Sequence, residues 1–415
     1  MDGAHTIGHE AALGAVHRMI AGTPPHAILF VGPAGVGKTT LALDLAAGVL
    51  CAADRGTSRP CRACRSCRLI ASGNHPDLHR LAPAGAGGQI TIGKRGDPDR
   101  GTVRALIAEL TLLPVEGPAR VAIVEAAERM NDDAQSALLK TLEEPPAGMV
   151  IVLCAADEER LLETVRSRCV RYRLGPASIR DIEAFLADRG LADAPMAARL
   201  ARISSGRPGI ALTYARAPEA ALIRAELARS LIDLLDTRVA RRLALARELV
   251  ARSGDLVRAL AAGVEADDGG ADAPVAASGP RGRGRARKGL EQTAAPGRAV
   301  PPEGDAATTP GDDAGDEGAA PKVSAAERRR AVAQLLEIWR DLARDLALVE
   351  LGEGRALRDP SLIDDLGAAR GQLDPQSAAR FLERLLAAGE LLEGNVVPEL
   401  LVDDLVVRWR GRAVA

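Results

Sequence analysis

The sequence predicts an α/β domain, built on a parallel sheet with helices on both faces. The rest of the chain after this domain is predicted to be helical, apart from one disordered insertion. Three observations support this fold class. A glycine-rich stretch, GPAGVGKT at residues 32–39, follows an apolar run that is typical of a buried strand. Two more continuous apolar runs, at residues 121–124 and 149–155, are expected in a parallel sheet covered on both faces. After residue 174, apolar residues recur at helical spacing.

The α/β domain is expected at residues 1–173, as an alternation of strands and helices. One helix begins at the glycine-rich stretch and covers Thr39–Leu50. Another helix lies in DDAQSALLKTLEEPP and ends at its two prolines, because proline cannot continue a helix. The expected strands are Ala27–Val31, Val121–Val124 and Met149–Ala155.

Two helical domains are expected after the α/β domain. A small helical lid covers residues 174–215, and an all-helical collar covers residues 216–263 and 325–415. Residues 264–324 are rich in Gly, Pro, Ala and Asp, which predicts a disordered insertion whose basic cluster at 281–288 is solvated. One apolar face of the collar either contacts other chains or closes the domain's own core. It comprises Ile223, Leu227, Leu231 and Leu235.

Composition limits the classes of function. The 415 residues have a net charge of −2 and contain only two Trp, two Tyr and three Phe. Neither a basic field nor a base-stacking platform therefore indicates that this chain alone binds nucleic acid. No apolar run reaches the length of a membrane span and no signal peptide is visible, so we expect a cytoplasmic protein without membrane contact. Its six cysteines then indicate reduced thiols or a metal site.

The glycine-rich stretch has the residues of a phosphate-binding loop in the required context, after a strand and at the start of a helix. Its glycines let backbone N–H groups point at phosphates, Lys38 would reach the β- and γ-phosphate oxygens, and Thr39 would bind Mg²⁺. ATP or ADP with Mg²⁺ is the expected ligand, although a loop kept only for folding is an open alternative. The expected nucleotide-binding residues are Gly32, Gly35, Gly37, Lys38, Thr39 and Thr40.

A cysteine cluster with the spacing C-x9-C-x2-C-x2-C follows the phosphate-loop helix. Four thiolates suit a closed, structural Zn²⁺ site, and the metal would order the polar segment 51–67. An iron–sulfur cluster or a redox relay is the alternative. His75 and His79 are interpreted as ordinary loop residues, and Cys154 as a small core residue. The expected metal ligands are Cys51, Cys61, Cys64 and Cys67.

The strand at residues 121–124 ends where a phosphate-loop ATPase needs two acidic residues, one for the metal and one for water. This chain supplies Glu125 and then Ala126, which cannot polarise water. Glu128 is expected to turn into the following loop or helix. Further along, Arg168 in the tripeptide Ser-Arg-Cys is expected to be exposed, where it either pairs with a phosphate held by a neighbouring chain or makes a surface salt bridge.

Taken together, PHAILFVGPAGVGKTT, the cysteine cluster, ALLKTLEEPP and SRC resemble the clamp-loader subunits of bacterial DNA polymerase III, which belong to the AAA+ family. The resemblance covers most of residues 5–215 and, more weakly, the C-terminal helices. It implies an AAA+ nucleotide-binding domain with a zinc module after the phosphate-loop helix, a lid, and a collar for assembly. The insertion at residues 264–324 is not part of the family pattern.

Within that family, the chain looks more like the delta-prime type of subunit than like the gamma or tau motor subunits. Motor subunits carry Asp-Glu where this chain has Glu-Ala at residues 125–126, and a polar Thr where it has Ala-Ala at 155–156. They also carry a lid arginine where this chain has Gly209. The resemblance therefore implies a non-hydrolysing stator that presents Arg168 as an arginine finger, in trans, to the ATP of a neighbouring motor subunit.

The resemblance also implies partners and a cellular role. The partners are the gamma/tau and delta subunits, the sliding clamp and primed DNA. The role is at the replisome, within a DNA-directed DNA polymerase holoenzyme (a nucleotidyltransferase). Two alternatives stay open. The chain could be an active gamma/tau-like ATPase, with Glu125 on the metal and Glu128 or another acid as the base. It could also be a zinc-stabilised AAA+ adaptor with protein contacts only. A recombination helicase fits less well, because such enzymes keep their own acidic pair.

Overall fold

The fold is known from a computed structural model that describes residues 5–54, 58–84, 88–94, 101–268, 324–374, 376–394 and 396–409. All of these residues lie in one unit, Met1–Ala271 with Ser324–Ala415. Most of the insertion predicted at residues 264–324 lies outside the described residues. Its two ends are corrected, because a helix continues to Asp268 and Ser324 caps the next helix.

Five parallel strands form a single sheet in the order β2-β3-β4-β1-β5. The three predicted strands are confirmed, with β3 beginning one residue early. Two strands were not predicted: β2 has only four residues, and β5 is an edge strand whose Val170 is 43% exposed, so neither forms a continuous apolar run. The strands are β1 (Ala27–Val31), β2 (Leu78–Leu81), β3 (Arg120–Val124), β4 (Met149–Ala155) and β5 (Val170–Arg173).

Helices cover both faces of this sheet, which confirms the predicted α/β class. Side chains alternate along β1, so that Ile28 and Phe30 pack on one face and Leu29 and Val31 on the other. The first two helices cover the Phe30 face, and the fourth and fifth cover the Leu29 face. The helices of this domain are α1 (Glu10–Ala21), α2 (Lys38–Val49), α3 (Arg65–Ala71), α4 (Val103–Leu110), α5 (Asp132–Glu143) and α6 (Glu163–Arg166).

The lid and collar helices share one continuous apolar core that runs from Ala177 to Trp409. The two helical stretches on either side of the insertion pack directly on each other within this core. The lid contains α7 (Ile179–Asp188), α8 (Ala194–Ile203) and α9 (Pro208–Arg216). The collar contains α10 (Pro218–Asp233), α11 (Val239–Asp268), α12 (Ala325–Glu350), α13 (Ile363–Gln372), α14 (Ser377–Glu393) and α15 (Pro398–Arg408).

The apolar face predicted on the collar closes the protein's own core. All four of its residues are buried in the shared lid–collar core, so this face is not available for contact with another chain: Ile223, Leu227, Leu231 and Leu235. Among the described helices, none combines the length and the apolar character that crossing a membrane requires.

Candidate nucleotide and metal sites

The predicted phosphate-binding loop lies between β1 and α2, at the carboxyl edge of the sheet. Gly37 has φ 111°, a conformation that glycine adopts without strain, and Lys38 begins the helix. The Nζ atom of Lys38 donates to the carbonyl oxygens of Gly32, at 2.5 Å, and Pro33, at 2.9 Å. Burial lowers the pKa of Lys38. The lysine is thus folded onto its own loop.

The lid contacts this loop through backbone atoms. The amide of Gly209, at the start of α9, donates to the carbonyl oxygen of Gly35 at 2.9 Å. A Cβ atom on Gly209 would lie 3.0 Å from that same oxygen, and a Cβ on Gly35 would lie 2.8 Å from Ile210. A side chain at position 209 would therefore press on the loop backbone while the lid contacts the loop, which gives a physical reason for glycine there.

The two acidic residues after β3 have different surroundings. Arg80, on β2, donates through Nε (3.0 Å) and Nη2 (2.6 Å) to one carboxylate oxygen of Glu125, which ties this acid to a neighbouring strand. Ala126 has φ 47°, and the left-handed turn leads into a short 3₁₀ segment that contains Glu128. Glu128 lies in this segment, as expected, and its carboxylate accepts from the Ala156 amide at 3.1 Å.

Glu128 therefore lies close to the phosphate loop. Ala155 directly precedes Ala156, the partner of Glu128. Its carbonyl oxygen accepts a hydrogen bond from the Gly32 amide at 3.1 Å. The charge of Glu128 acts on Lys38, although burial outweighs its effect on the lysine pKa. Cys154, on the same strand, is buried in the core as predicted, and burial raises the pKa of its thiol to about 12.

The four cysteines predicted as metal ligands come together beside α2 and α3. Their sulfur atoms all lie within 4.8 Å of one another, and within the described parts of the chain no histidine or acidic residue joins the group. Amide groups of the motif donate to its sulfurs, from Cys64 to Cys61 and from Cys67 to Cys64, each at 3.4 Å. The hydrogen bonds from Cys64 and Ala63 lower the pKa of Cys61 to about 6. Four convergent sulfurs, one favouring the thiolate, fit a tetrahedral Zn²⁺ ion.

The two histidines near this cluster have structural contacts instead. His75 is buried, and its Nδ1 accepts from the Asp77 amide at 3.1 Å. His79 lies on β2, with Nε2 2.9 Å from Nη1 of Arg120. The interpretation of His79 as a loop residue is therefore wrong. Its strand was missed because four residues of mixed polarity give no clear periodicity.

A buried carboxylate connects the cysteine module to the phosphate-loop helix. Asp44, on α2, is 1% exposed and forms an ion pair with Arg62, which lies between the cysteines in sequence. Asp44 also accepts from the Thr6 amide at 3.0 Å and hydroxyl at 2.7 Å. This acid was not identified from the sequence, since its partners are distant along the chain.

Arg168 lies just after α6 and its side chain is 34% exposed. Its Nη2 is 2.5 Å from a carboxylate oxygen of Glu143, the last residue of α5, and its Nη1 donates to the Thr164 carbonyl at 2.8 Å. The predicted finger residue thus makes a surface ion pair within this chain and stays partly open to solvent. Glu143 was not predicted as a site residue.

These features define the class of protein. A five-stranded parallel sheet in this order, a glycine-rich loop after β1 and a helical lid in contact with that loop are the arrangement that the AAA+ resemblance predicts. The family model described as the DNA polymerase III delta subunit matches residues 9–178. Over that region, the chain is similar to the family of DNA polymerase III delta subunits.

Curated relatives show the same similarity. The chain is 38% identical over 186 residues to the DNA polymerase III subunit delta' of Pseudomonas aeruginosa, covering 44% of this chain and 53% of the relative. It is 35% identical over 202 residues to the delta' subunit of Bacillus subtilis, covering 49% and 57%. The tau subunit of Escherichia coli is 31% identical over 267 residues, covering 62% of this chain and 39% of the relative. The chain thus matches little more than half the length of these delta' relatives.

Proposed function

We propose that this chain is a non-hydrolysing subunit of a replicative clamp loader and that it donates Arg168, in trans, to ATP held by a neighbouring subunit. The observation that carries the proposal is the state of the phosphate site. The loop itself is complete, but Glu125 is tied to Arg80, Ala126 has no carboxylate, and Gly209 stands where a lid arginine would be expected. Hydrolysis would have to occur elsewhere in the assembly.

Arg168 supplies the chemistry that such an assembly needs. Phosphoryl transfer builds negative charge on the γ-phosphate oxygens, and a guanidinium stabilises that charge by ionic hydrogen bonds. An arginine finger raises phosphoryl-transfer rates by about 10³–10⁵ in GTPases. A partly exposed arginine just before the amino-terminal end of β5 is available for this role, since its ion pair is formed with a half-exposed acid.

The phosphate loop and the cysteines have supporting roles in this proposal. Gly32–Thr39 would hold ADP or ATP statically, with Lys38 on the phosphates and Thr39 on Mg²⁺. Cys51, Cys61, Cys64 and Cys67 would hold one structural Zn²⁺, which orders a polar segment that has little apolar surface of its own. The gamma/tau and delta subunits would be the partners, and the assembled loader would place a sliding clamp on primed DNA.

One observation favours a second candidate, an ATPase motor subunit. The Glu128 carboxylate lies at the end of β4, one residue from the hydrogen bond between Gly32 and Ala155, so an acid is present near the loop. A motor would still need a metal carboxylate free of Arg80 and an arginine from its own lid. Both requirements conflict with the contacts of Glu125 and Gly209, and we therefore place this candidate second.

Nucleotide binding and hydrolysis, measured on one purified sample with its zinc retained, separate the two candidates. We expect no steady-state turnover by the isolated chain, with or without measurable binding of ADP or ATP. Lys38→Ala is the control, because it removes the phosphate ligand. Turnover that disappears in Lys38→Ala and in Glu128→Gln would make this chain a motor and refute the proposal.

A further inference from the structure

The contact between Glu143 and Arg168 fixes a side chain that would otherwise be mobile. Nη2 of Arg168 pairs with Glu143 at 2.5 Å, while Nη1 donates to Thr164 at 2.8 Å. Two bonds from different nitrogens define the plane of the guanidinium as well as its position. Because the group has five N–H donors and these bonds use two, the other three have no acceptor among the described residues and can meet a further one.

The elements that carry these two residues give the contact its precision. Glu143 ends α5, just before the Pro145-Pro146 pair, and Arg168 follows the short helix α6, which packs on α5. The buried side chain of Gln135, on α5, links these regions, since its Nε2 donates to Arg160 and its Oε1 accepts from Leu162. The acid is thus held on a rigid helix in a fixed relation to the arginine.

We propose that Glu143 is a positioning residue for Arg168, which holds the guanidinium so that its free donors meet the γ-phosphate oxygens of ATP on a neighbouring subunit. This inference rests on the proposed function. Glu143 could have the opposite effect only if its attraction kept Arg168 away from the phosphate, and that attraction is the weaker of the two. The acid is 50% exposed, and such a pair contributes little attraction in water compared with the multiple charges of a triphosphate.

Positioning and charge can be separated with two substitutions. Glu143→Ala removes the contact, whereas Glu143→Gln keeps an oxygen that accepts the same hydrogen bond but removes the charge. Glu144→Ala is the matched control, because Glu144 is the adjacent, exposed acid of the same motif. Arg168→Ala gives the loss of ATPase rate that follows when the finger is removed altogether.

The experiment is the steady-state ATPase of the loader reconstituted from the full chain with gamma/tau and delta subunits of the same organism. We expect Glu143→Ala to lower kcat about fivefold, since a misplaced catalytic group loses rate steeply with distance. KM for ATP should not change, because the neighbouring subunit binds the nucleotide. Glu143→Gln should recover most of the rate, and Glu144→Ala should match the wild type.

A second measurement uses the isolated chain. Rotation about the Cζ–Nε bond of Arg168, followed by ¹⁵N NMR of its guanidinium, should be restricted in the wild type and in Glu143→Gln and faster in Glu143→Ala. Equal kcat for Glu143→Ala and Glu144→Ala, with a large loss in Arg168→Ala, would overturn the role of Glu143 alone. A higher kcat in Glu143→Ala would also overturn it. An unchanged kcat in Arg168→Ala would overturn the proposed function as well.

Discussion

The amide of Gly209 donates to the carbonyl oxygen of Gly35 at 2.9 Å, which joins the lid to the phosphate loop through backbone atoms alone. Two residues earlier, Arg207 forms an ion pair with Glu337 on the collar helix α12, at 2.5 Å. The same short segment therefore contacts the nucleotide-binding loop on one side and the collar on the other.

The first prediction concerns the space at Gly209. Gly209→Ala should lower the free energy of unfolding by about 1–3 kcal/mol, because its Cβ would lie 3.0 Å from a backbone oxygen that cannot move away cheaply. Gly175→Ala is the control, since a Cβ there meets nothing within 4 Å. Urea denaturation of both variants checks this. Equal stability of the two would mean that the lid does not rest on the loop.

A second prediction concerns the ion pairs within the collar. Asp341, on α12, accepts from Arg224 of α10 at 2.7 Å and also pairs with Arg358. Asp341→Ala should cost about 3–5 kcal/mol, because it leaves largely buried arginines without their acid. Asp365→Ala, which removes an exposed partner 3.5 Å from Arg229, should cost less than about 1 kcal/mol. Thermal unfolding of the two variants should rank them in this order, and the reverse order would contradict the buried network.

A third prediction concerns Asp77, a fully buried acid just before β2. Burial alone would raise the pKa of its carboxyl, but hydrogen bonds from the amides of Val115 (2.6 Å), Glu116 (2.8 Å) and Gly117 (2.7 Å) more than offset this, so the pKa is lowered. A pKa that is lower in the folded than in the unfolded chain stabilises the fold above the unfolded pKa. That stabilisation is lost as pH falls through the folded pKa.

Asp77→Asn should therefore be less stable by about 2–4 kcal/mol at pH 7, and the deficit should shrink below about pH 4. Urea unfolding at several pH values measures the difference. Asp188→Asn, at an exposed position, should change stability by less than about 0.5 kcal/mol at every pH. A deficit that stays constant down to low pH would show that the charge of Asp77 does not matter.

A fourth prediction concerns the metal. The purified chain should contain about one zinc ion, and Cys64→Ser should lose it, because structural sites need all four ligands. Cys169→Ser should keep the metal, since that thiol is outside the cluster. Metal analysis measures the content, and hydrogen exchange of residues 58–72 should rise on chelation. Iron in place of zinc, or no metal in freshly prepared protein, would contradict the assignment.

The sequence predicts the features that depend on local spacing and misses those that depend on distant partners. A phosphate loop and a four-cysteine motif are each contiguous, so their residue types and spacing already indicate the geometry. The contact between Arg80 and Glu125 spans 45 residues, and that between Glu143 and Arg168 spans 25. Only the packing of strands and helices brings such pairs together.

Periodicity has a similar limit. The spacing of Leu227 and Leu231 correctly indicates a buried helix face, but spacing alone does not say whether the covering surface belongs to the same chain. The structure answers this, since both residues lie in the shared lid–collar core. The strands β2 and β5 were missed for the opposite reason, because short or edge strands do not need a continuous apolar run.

The central claim, that this chain hydrolyses nothing itself but supplies an arginine to its neighbour, is tested most directly by Arg168→Ala in the reconstituted clamp loader. The variant should assemble normally and lose about 10³-fold or more of the ATPase rate at the neighbouring site. Arg180→Ala, an exposed lid arginine, should have no effect. Full ATPase activity in a properly assembled complex carrying Arg168→Ala would contradict the claim.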